Sequence, residues 1–323
     1  MSNKLPEPIC AFLISSDGTS VSIPLPQNFD DFTVSDGYIW LHFNVTELGF
    51  ETWLESFFSR TVASAMIEPE TRPRCDRLED GLILNLRGVN LNPGADPDDM
   101  VSLRLWVTEK LIVSARVRKL LSVEAIKQKI EAGTAPISVV SFLSELTFEL
   151  TKRIEKVSLA LVEGADTVEE DAFSSKKMLA GELATLRQSV IKLRRFIRPQ
   201  SIALAELAEG KVLALDSQSA SILRETANRS VRTIEELDAT SDRLKALQDH
   251  LDMLSTSALG RNSYVLSVVA AIFLPLGFLT GLFGVNVGGM PLVDTHYGFM
   301  SVAVGSGLIG ILLFLVFRQL KWL

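Results

Sequence analysis

Residues 263–282, SYVLSVVAAIFLPLGFLTGL, and 298–317, GFMSVAVGSGLIGILLFLVF, decide the fold, because neither contains Asp, Glu, Lys, Arg or His. Each is roughly 20 residues, which at ~1.5 Å per residue spans the ~30 Å hydrocarbon layer of a bilayer. In lipid every backbone polar group needs an internal partner, and two segments cannot close a barrel, so both read as transmembrane helices. The loop between them, Phe283 to Tyr297, carries Gly284-Val285-Asn286 and Gly288-Gly289-Met290-Pro291.

Arg261 precedes the first span and Arg318 and Lys321 follow the second, while the loop has no Lys or Arg and one acid, Asp294. Positive flanks stay inside, so both termini are expected in the cytoplasm. The apolar run Ile9 to Ile14 is too short for a signal peptide. Cys10 and Cys75 lack the spacing of a zinc knuckle or redox pair and read as buried small apolar residues in a reducing compartment. The net charge of −7 argues against nucleic acid and suits a protein that collects cations. No P-loop, catalytic triad or paired-histidine motif is present, which leaves no support for an enzyme or an ATP-driven pump and implies no cofactor.

Residues 1–120 read as a cytoplasmic α/β domain. Cys10 to Ser15 and Ser20 to Pro24 flank a turn at Asp17-Gly18, and Tyr38 to Val45 is a third strand. Trp53, Leu54, Phe57 and Phe58 fall at helical spacing. Leu82-Leu84-Leu86 and Val101-Leu103-Leu105-Val107 alternate as half-buried strands, and Leu111 to Ala115 completes the sheet. Asn92 to Asp99 is an acidic loop, read as a solvated turn or a hydrated-cation site. Residues 121–200 read as a helical region: a short helix from the N-cap Ser122 to Gly133, then Ile137–Val162 and Ala172–Ile197 around the acidic stretch Glu163 to Asp171. That stretch is expected to cap a helical hairpin, with a metal-attracting tip as the alternative. Lys192, Arg194, Arg195 and Arg198 form a basic cluster before Pro199, which is expected to end its helix.

From Ser201 to Leu282 no proline occurs before Pro275, so one long helix is expected, with 201–262 as a stalk and 263–323 as the membrane hairpin and cytoplasmic tail. Ile234, Leu237, Ser241, Leu244, Leu247, Leu251, Leu254 and Ala258 form an apolar seam that calls for neighbouring helices. A second face carries Asp238, Asp242, Lys245, Asp249, Asp252 and Thr256. Continued by three or four residues at a time, it meets Gly260, Ser263, Ser267, Ala270, Leu274, Gly277 and Gly281. Within the span this face is small or hydroxylated except at Leu274, which suits a pore lining. Close helix packing is the other use of small residues in membranes.

The order of long helix, Pro275, Gly284-Val285-Asn286, Gly288-Gly289-Met290-Pro291, second span and Lys321-Trp322-Leu323 resembles the CorA-type divalent metal ion transporters. Most of that family reads Gly-Met-Asn after Tyr. Phe283 and Val285 here are similar to the zinc-transporting ZntB branch, as are Asp80 to Asn90 and Met100 to Val107. The resemblance implies an α+β cytoplasmic domain, a long stalk helix and a two-helix hairpin assembled as a funnel-shaped homo-oligomer, a pentamer, in the bacterial inner membrane. It implies passage of Zn²⁺, with Ni²⁺, Co²⁺ and Cd²⁺ as further candidates, as proton-coupled or potential-driven uptake, with export left open. Asp249 falls where relatives place a pore-facing acid. The alternatives are a magnesium or cobalt channel of the same family and, in another class, a non-conducting membrane-anchored scaffold or sensor.

Moving a divalent ion across a bilayer requires oxygen ligands that keep or replace its hydration shell. Gly284, Val285 and Asn286 form the candidate selectivity loop, in which the neutral Asn286 amide offers oxygen without the tight binding that stops release. The candidate metal contacts are Asn286 and Asp249, with His296 as a third; a helix cap for Asn286 and a surface position for His296 are the plainer readings. His42, His250 and His296 do not pair at ligand spacing, so no preassembled tetrahedral zinc site is expected.

Overall fold

The computed structural model describes residues 5–173, 180–210, 213–284, 291 and 295–320. They fall into two compact units, Met1–Ala246 and Leu247–Leu323. In the first, β1 (Cys10–Ile14), β2 (Ser20–Ser22), β3 (Tyr38–Asn44), β4 (Arg74–Leu78), β5 (Gly81–Gly88), β6 (Val101–Val107) and β7 (Leu111–Arg116) make one sheet, ordered β2-β1-β3-β7-β6-β5-β4. Only β3 and β7 pair in parallel.

Helices cover both faces. Leu82, Leu84, Leu86, Leu103 and Leu105 join one core with residues of α3 (Leu121–Glu131), α4 (Val139–Phe173) and α5 (Ala180–Ala208). Ile83 and Trp106 point the other way, into a second core with α1 (Phe50–Phe57) and α2 (Arg60–Ile67). The two alternating strands are therefore buried on both sides, not half-buried as their pattern suggests. Even Arg104 is only 1% exposed, its Nη2 donating to the carbonyls of Glu68 and Pro69. The β4–β5 turn places Glu79 at φ 54°. The next residue but one has to be glycine, since a Cβ on Gly81 would stand 2.5 Å from the Trp106 ring.

Four helix boundaries differ from the sequence expectation. The short helix starts one residue before Ser122, whose hydroxyl donates to the Glu149 carbonyl instead of capping. Glu163 to Asp171 lies inside α4 and caps nothing: Arg243 Nη2 reaches Asp166 at 2.6 Å and Glu169 Oε2 at 2.5 Å, so both acids face a helix partner. Pro199 sits inside α5. A proline in a helix interior costs ~3 kcal/mol, but the turns beyond it bury Ala203, Leu204 and Leu207 in the core, which offsets that cost. The chain breaks at Gly210 (φ 68°), and Asp216 caps the next helix by accepting from Ser219 N–H at 2.9 Å. The long helix α6 is therefore Ser217–Gly284, 68 residues, about 100 Å at ~1.5 Å per residue. The second unit holds its C-terminal part and α7 (Gly298–Gln319).

Candidate ion pathway

The two apolar spans lie in α6 and α7 and have mean hydropathies of 2.3 and 2.4, with 6% and 0% of their residues buried. A core helix of a soluble protein would be mostly covered. Phe299, Leu308, Ile311 and Leu312 are all more than half exposed, and each would cost roughly 1.5–3 kcal/mol left in water. Lipid is the surrounding that removes this cost.

Within the second unit, α6 has two unlike sides. Val268 is buried, and Ala271, Ile272, Pro275, Leu276 and Leu279 are half-buried. This is the side of α7: a Cβ on Gly310 would lie 3.6 Å from Leu276 Cδ1, and Leu279 and Phe283 share a 190 Å³ cleft with Ser301, Gly305, Ser306 and Ile309. At ~100° per residue, Ser263, Ser267, Ala270, Leu274, Gly277 and Gly281 lie roughly opposite, and all are exposed, Leu274 by 74%. Ser267 Oγ donates to the Ser263 carbonyl at 2.9 Å, which takes up its proton within the helix. The helix passes Pro275 without interruption.

Earlier along α6, Asp249, Asp252, Thr256 and Gly260 are exposed on the same side. Asp252 accepts from Gln248 Nε2 at 3.0 Å, and the Thr256 hydroxyl donates to the Asp252 carbonyl at 2.8 Å. Asp242 and Lys245 are exposed, whereas Asp238 is engaged by α5: Arg194 Nε lies 2.6 Å from Oδ1 without hydrogen-bond alignment, and Arg198 Nη2 donates to Oδ2. Asp238 thus drops out of the expected acidic face. The apolar seam divides too: Ile234, Leu237, Leu244 and Leu247 are buried within the chain, and Leu254 is 51% exposed.

Gly284 ends α6 and is exposed. Val285 and Asn286 lie outside the described residues. His296 is exposed in a turn closed by Gly298 N–H donating to the Thr295 carbonyl at 3.1 Å. Among the described residues no three His, Cys, Asp or Glu side chains gather as a metal site. The described pore candidates, Asp249 to Gly281, lie along one face of α6 and form no coordination cluster.

A CorA-like Mg²⁺ transporter family model matches residues 35–319. The chain belongs to this family. It is thus a metal ion transport protein of the membrane, in a family of transporters and not of enzymes, with the metal as cargo. Among its relatives, the zinc transport protein ZntB of Pectobacterium carotovorum is 34% identical over 287 residues, 88% of this chain and 87% of that one. The divalent cation transporter CmaX of Pseudomonas aeruginosa is 33% identical over 290 residues, 88% of this chain and 87% of that one. The solved full-length CmaX superposes with a TM-score of 0.81 at 30% identity, covering 100% of both chains. The CorA-like architecture of soluble α/β domain, long helix and C-terminal apolar helix is therefore that of this protein.

Two further contacts on α6 have a sequence signature that periodicity alone passes over. Arg229 Nε donates to Glu155 Oε1 at 2.8 Å, and Arg243 reaches Glu169 in the same way. Both pairs are 74 residues apart. Equal spacing of acids on α4 and arginines on α6 is the mark of two parallel helices in register.

Proposed function

We propose that this chain transports Zn²⁺ through a central pore lined by the exposed face of α6, Asp249, Asp252, Thr256, Gly260, Ser263, Ser267, Ala270, Leu274, Gly277 and Gly281, in a homo-oligomer, a pentamer, of the bacterial inner membrane with both termini cytoplasmic. The observation that carries this reading is the two-sidedness of α6. Its apolar side meets α7, while its small and hydroxylated side has no cover within the chain. In a ring of copies that side faces the axis, where glycine and serine leave room for a hydrated ion and Leu274 forms an apolar constriction that gates by dewetting. Gly284, Val285 and Asn286 form the outer mouth and present oxygen to the arriving ion, with Asn286 as its principal contact there beside His296, and Asp249 as its principal contact at the cytoplasmic end of the pathway. Coupling to an inward proton gradient drives uptake.

A second reading, Mg²⁺ transport, draws support from the description of the matched family model. Val285 separates the two: it is shorter than the Met of the magnesium signature and β-branched, and it restricts the loop that presents Asn286. The experiment is flux into liposomes containing the pure full-length protein. Zn²⁺ enters faster than Mg²⁺, an inward proton gradient accelerates it, and Asn286→Ala sharply reduces it with the oligomer intact. Mg²⁺ flux equal to or faster than Zn²⁺ flux returns the protein to magnesium transport. Absence of any flux points to a membrane-anchored scaffold.

A further inference from the structure

The acidic loop before β6 and the basic cluster of α5 have no part in the ion pathway, yet the fold brings them together. Lys192 Nζ stands 3.4 Å from Asp98 Oδ2, and beside this pair a cavity of about 460 Å³ opens between the loop, α4 and α5. That volume lies in the range of small-molecule sites.

The cavity is polarised along its length. Arg153, Lys156, Val157 and Ala160 line it from α4, at spacings that put them on one helix face. The charged pair comes first and the apolar residues follow directly, Val157 next to Lys156, then Ala160 and Leu161. Gly164 of α4 stands level with Leu186 of the next helix α5, since a Cβ on Gly164 would touch Leu186 Cδ1 at 3.4 Å. From that level Lys192 comes beside the middle of the α4 lining, near Val157 and Ala160, with Ser189 and Thr185 further toward Leu161. The lining carries three cations, Arg153, Lys156 and Lys192, and two loop carboxylates, Asp96 and Asp98. Arg153 is engaged by Glu149 of its own helix, and Lys192 by Asp98. Lys156 is exposed and pairs with no carboxylate among the described residues.

We propose that this cavity binds a small amphipathic anion, a carboxylate, sulfonate or phosphate ester on an apolar body, with its charge at Lys156 and its apolar part against Val157, Ala160 and Leu161. The Asp98–Lys192 pair fixes the loop as one wall. Because the site lies between α4 and α5, its occupant bridges the helical hairpin and the sheet domain.

The test uses full-length Ser189→Cys in mild detergent and follows labelling by N-ethylmaleimide through intact mass. Cys10 and Cys75 give no background: both are buried, and burial pushes their thiols up to about 12. Two probes with the same ring and opposite charge are compared at millimolar concentration. Naphthalenesulfonate is expected to slow labelling several-fold and naphthyltrimethylammonium to leave it unchanged. Lys156→Glu, an exposed change that leaves the fold intact, is expected to abolish the protection. Equal protection by both probes, or protection that survives Lys156→Glu, reduces the cavity to an apolar hollow and overturns the assignment. No protection by either overturns it as well. A Ser189→Cys that resists labelling in the assembled protein means that a second copy covers the cavity, and this too overturns the proposal.

Discussion

His42 lies on β3, 1% exposed, with Nδ1 2.8 Å from Ser114 Oγ and Nε2 accepting from Arg116 Nε at 3.1 Å. Ser114 already donates to the Leu41 carbonyl and accepts from Trp40 Nε1, so the imidazole carries its proton on Nδ1 and has no room for a second. Burial first, and then the Arg116 charge, hold its pKa down from 6.5 to about 3. The unfolded chain binds a proton at about 6.5 where the folded chain does not, so stability is full above that pH. It is lost as pH falls toward 3, at up to ~1.4 kcal/mol per pH unit. In thermal melts at pH 7 and pH 4.5, His42→Gln is expected to lose less stability between the two than the parent does; equal losses would remove His42 as the cause. Sequence alone established that His42 belongs to no ligand pair, but the network needs three strands in register and is not legible from spacing. Asp249 is the opposite case, since its exposed position on the face of Gly260 and Ser263 was legible from periodicity. Asp249→Asn is expected to slow zinc uptake chiefly at low ionic strength, where a field effect is unscreened. A loss of the same size at high salt would mark direct coordination instead.

At the scale of elements, strong alternation made β5 and β6 readable, and length made α6 and α7 readable. β4 was missed because Arg74, Asp76 and Arg77 make it look like a loop; it is an edge strand, where charges protect against further pairing. The end of α5 was misplaced because a proline rule is local, whereas the burial of Leu204 and Leu207 is tertiary. The Arg229–Glu155 and Arg243–Glu169 pairs belong to this same scale. Both join α4 to α6 four turns apart, and the first is the better shielded, its side chains 21% and 28% exposed. Partly buried bidentate pairs exceed the ~0.2–1 kcal/mol of exposed ones. A double-mutant cycle with Arg229→Ala and Glu155→Ala is expected to give a coupling of about 1–2 kcal/mol in unfolding. A coupling indistinguishable from zero would reduce the contact to a surface accident.

For the whole molecule, the informative feature is what each part leaves uncovered. The first unit closes both faces of its sheet with its own helices, whereas the span of α6 closes only one of its sides. Two helices cannot surround an ion, so in the proposed pore further copies of the chain meet along that face. Copies related by a closed rotation would bring Leu274 of each to the axis and keep Val268, on the α7 side, away from it. With Cys10 and Cys75 buried, a short bifunctional thiol cross-linker can compare Leu274→Cys with Val268→Cys in the membrane. Leu274→Cys is expected to yield cross-linked dimers, and Val268→Cys only monomers. The intact protein in mild detergent is expected at the mass of a pentamer. If cross-links formed at Val268→Cys and not at Leu274→Cys, α6 would be turned by about half a revolution and the pore would have to be sought on the side of α7. If the mass were that of a monomer, no face of α6 could line a pore.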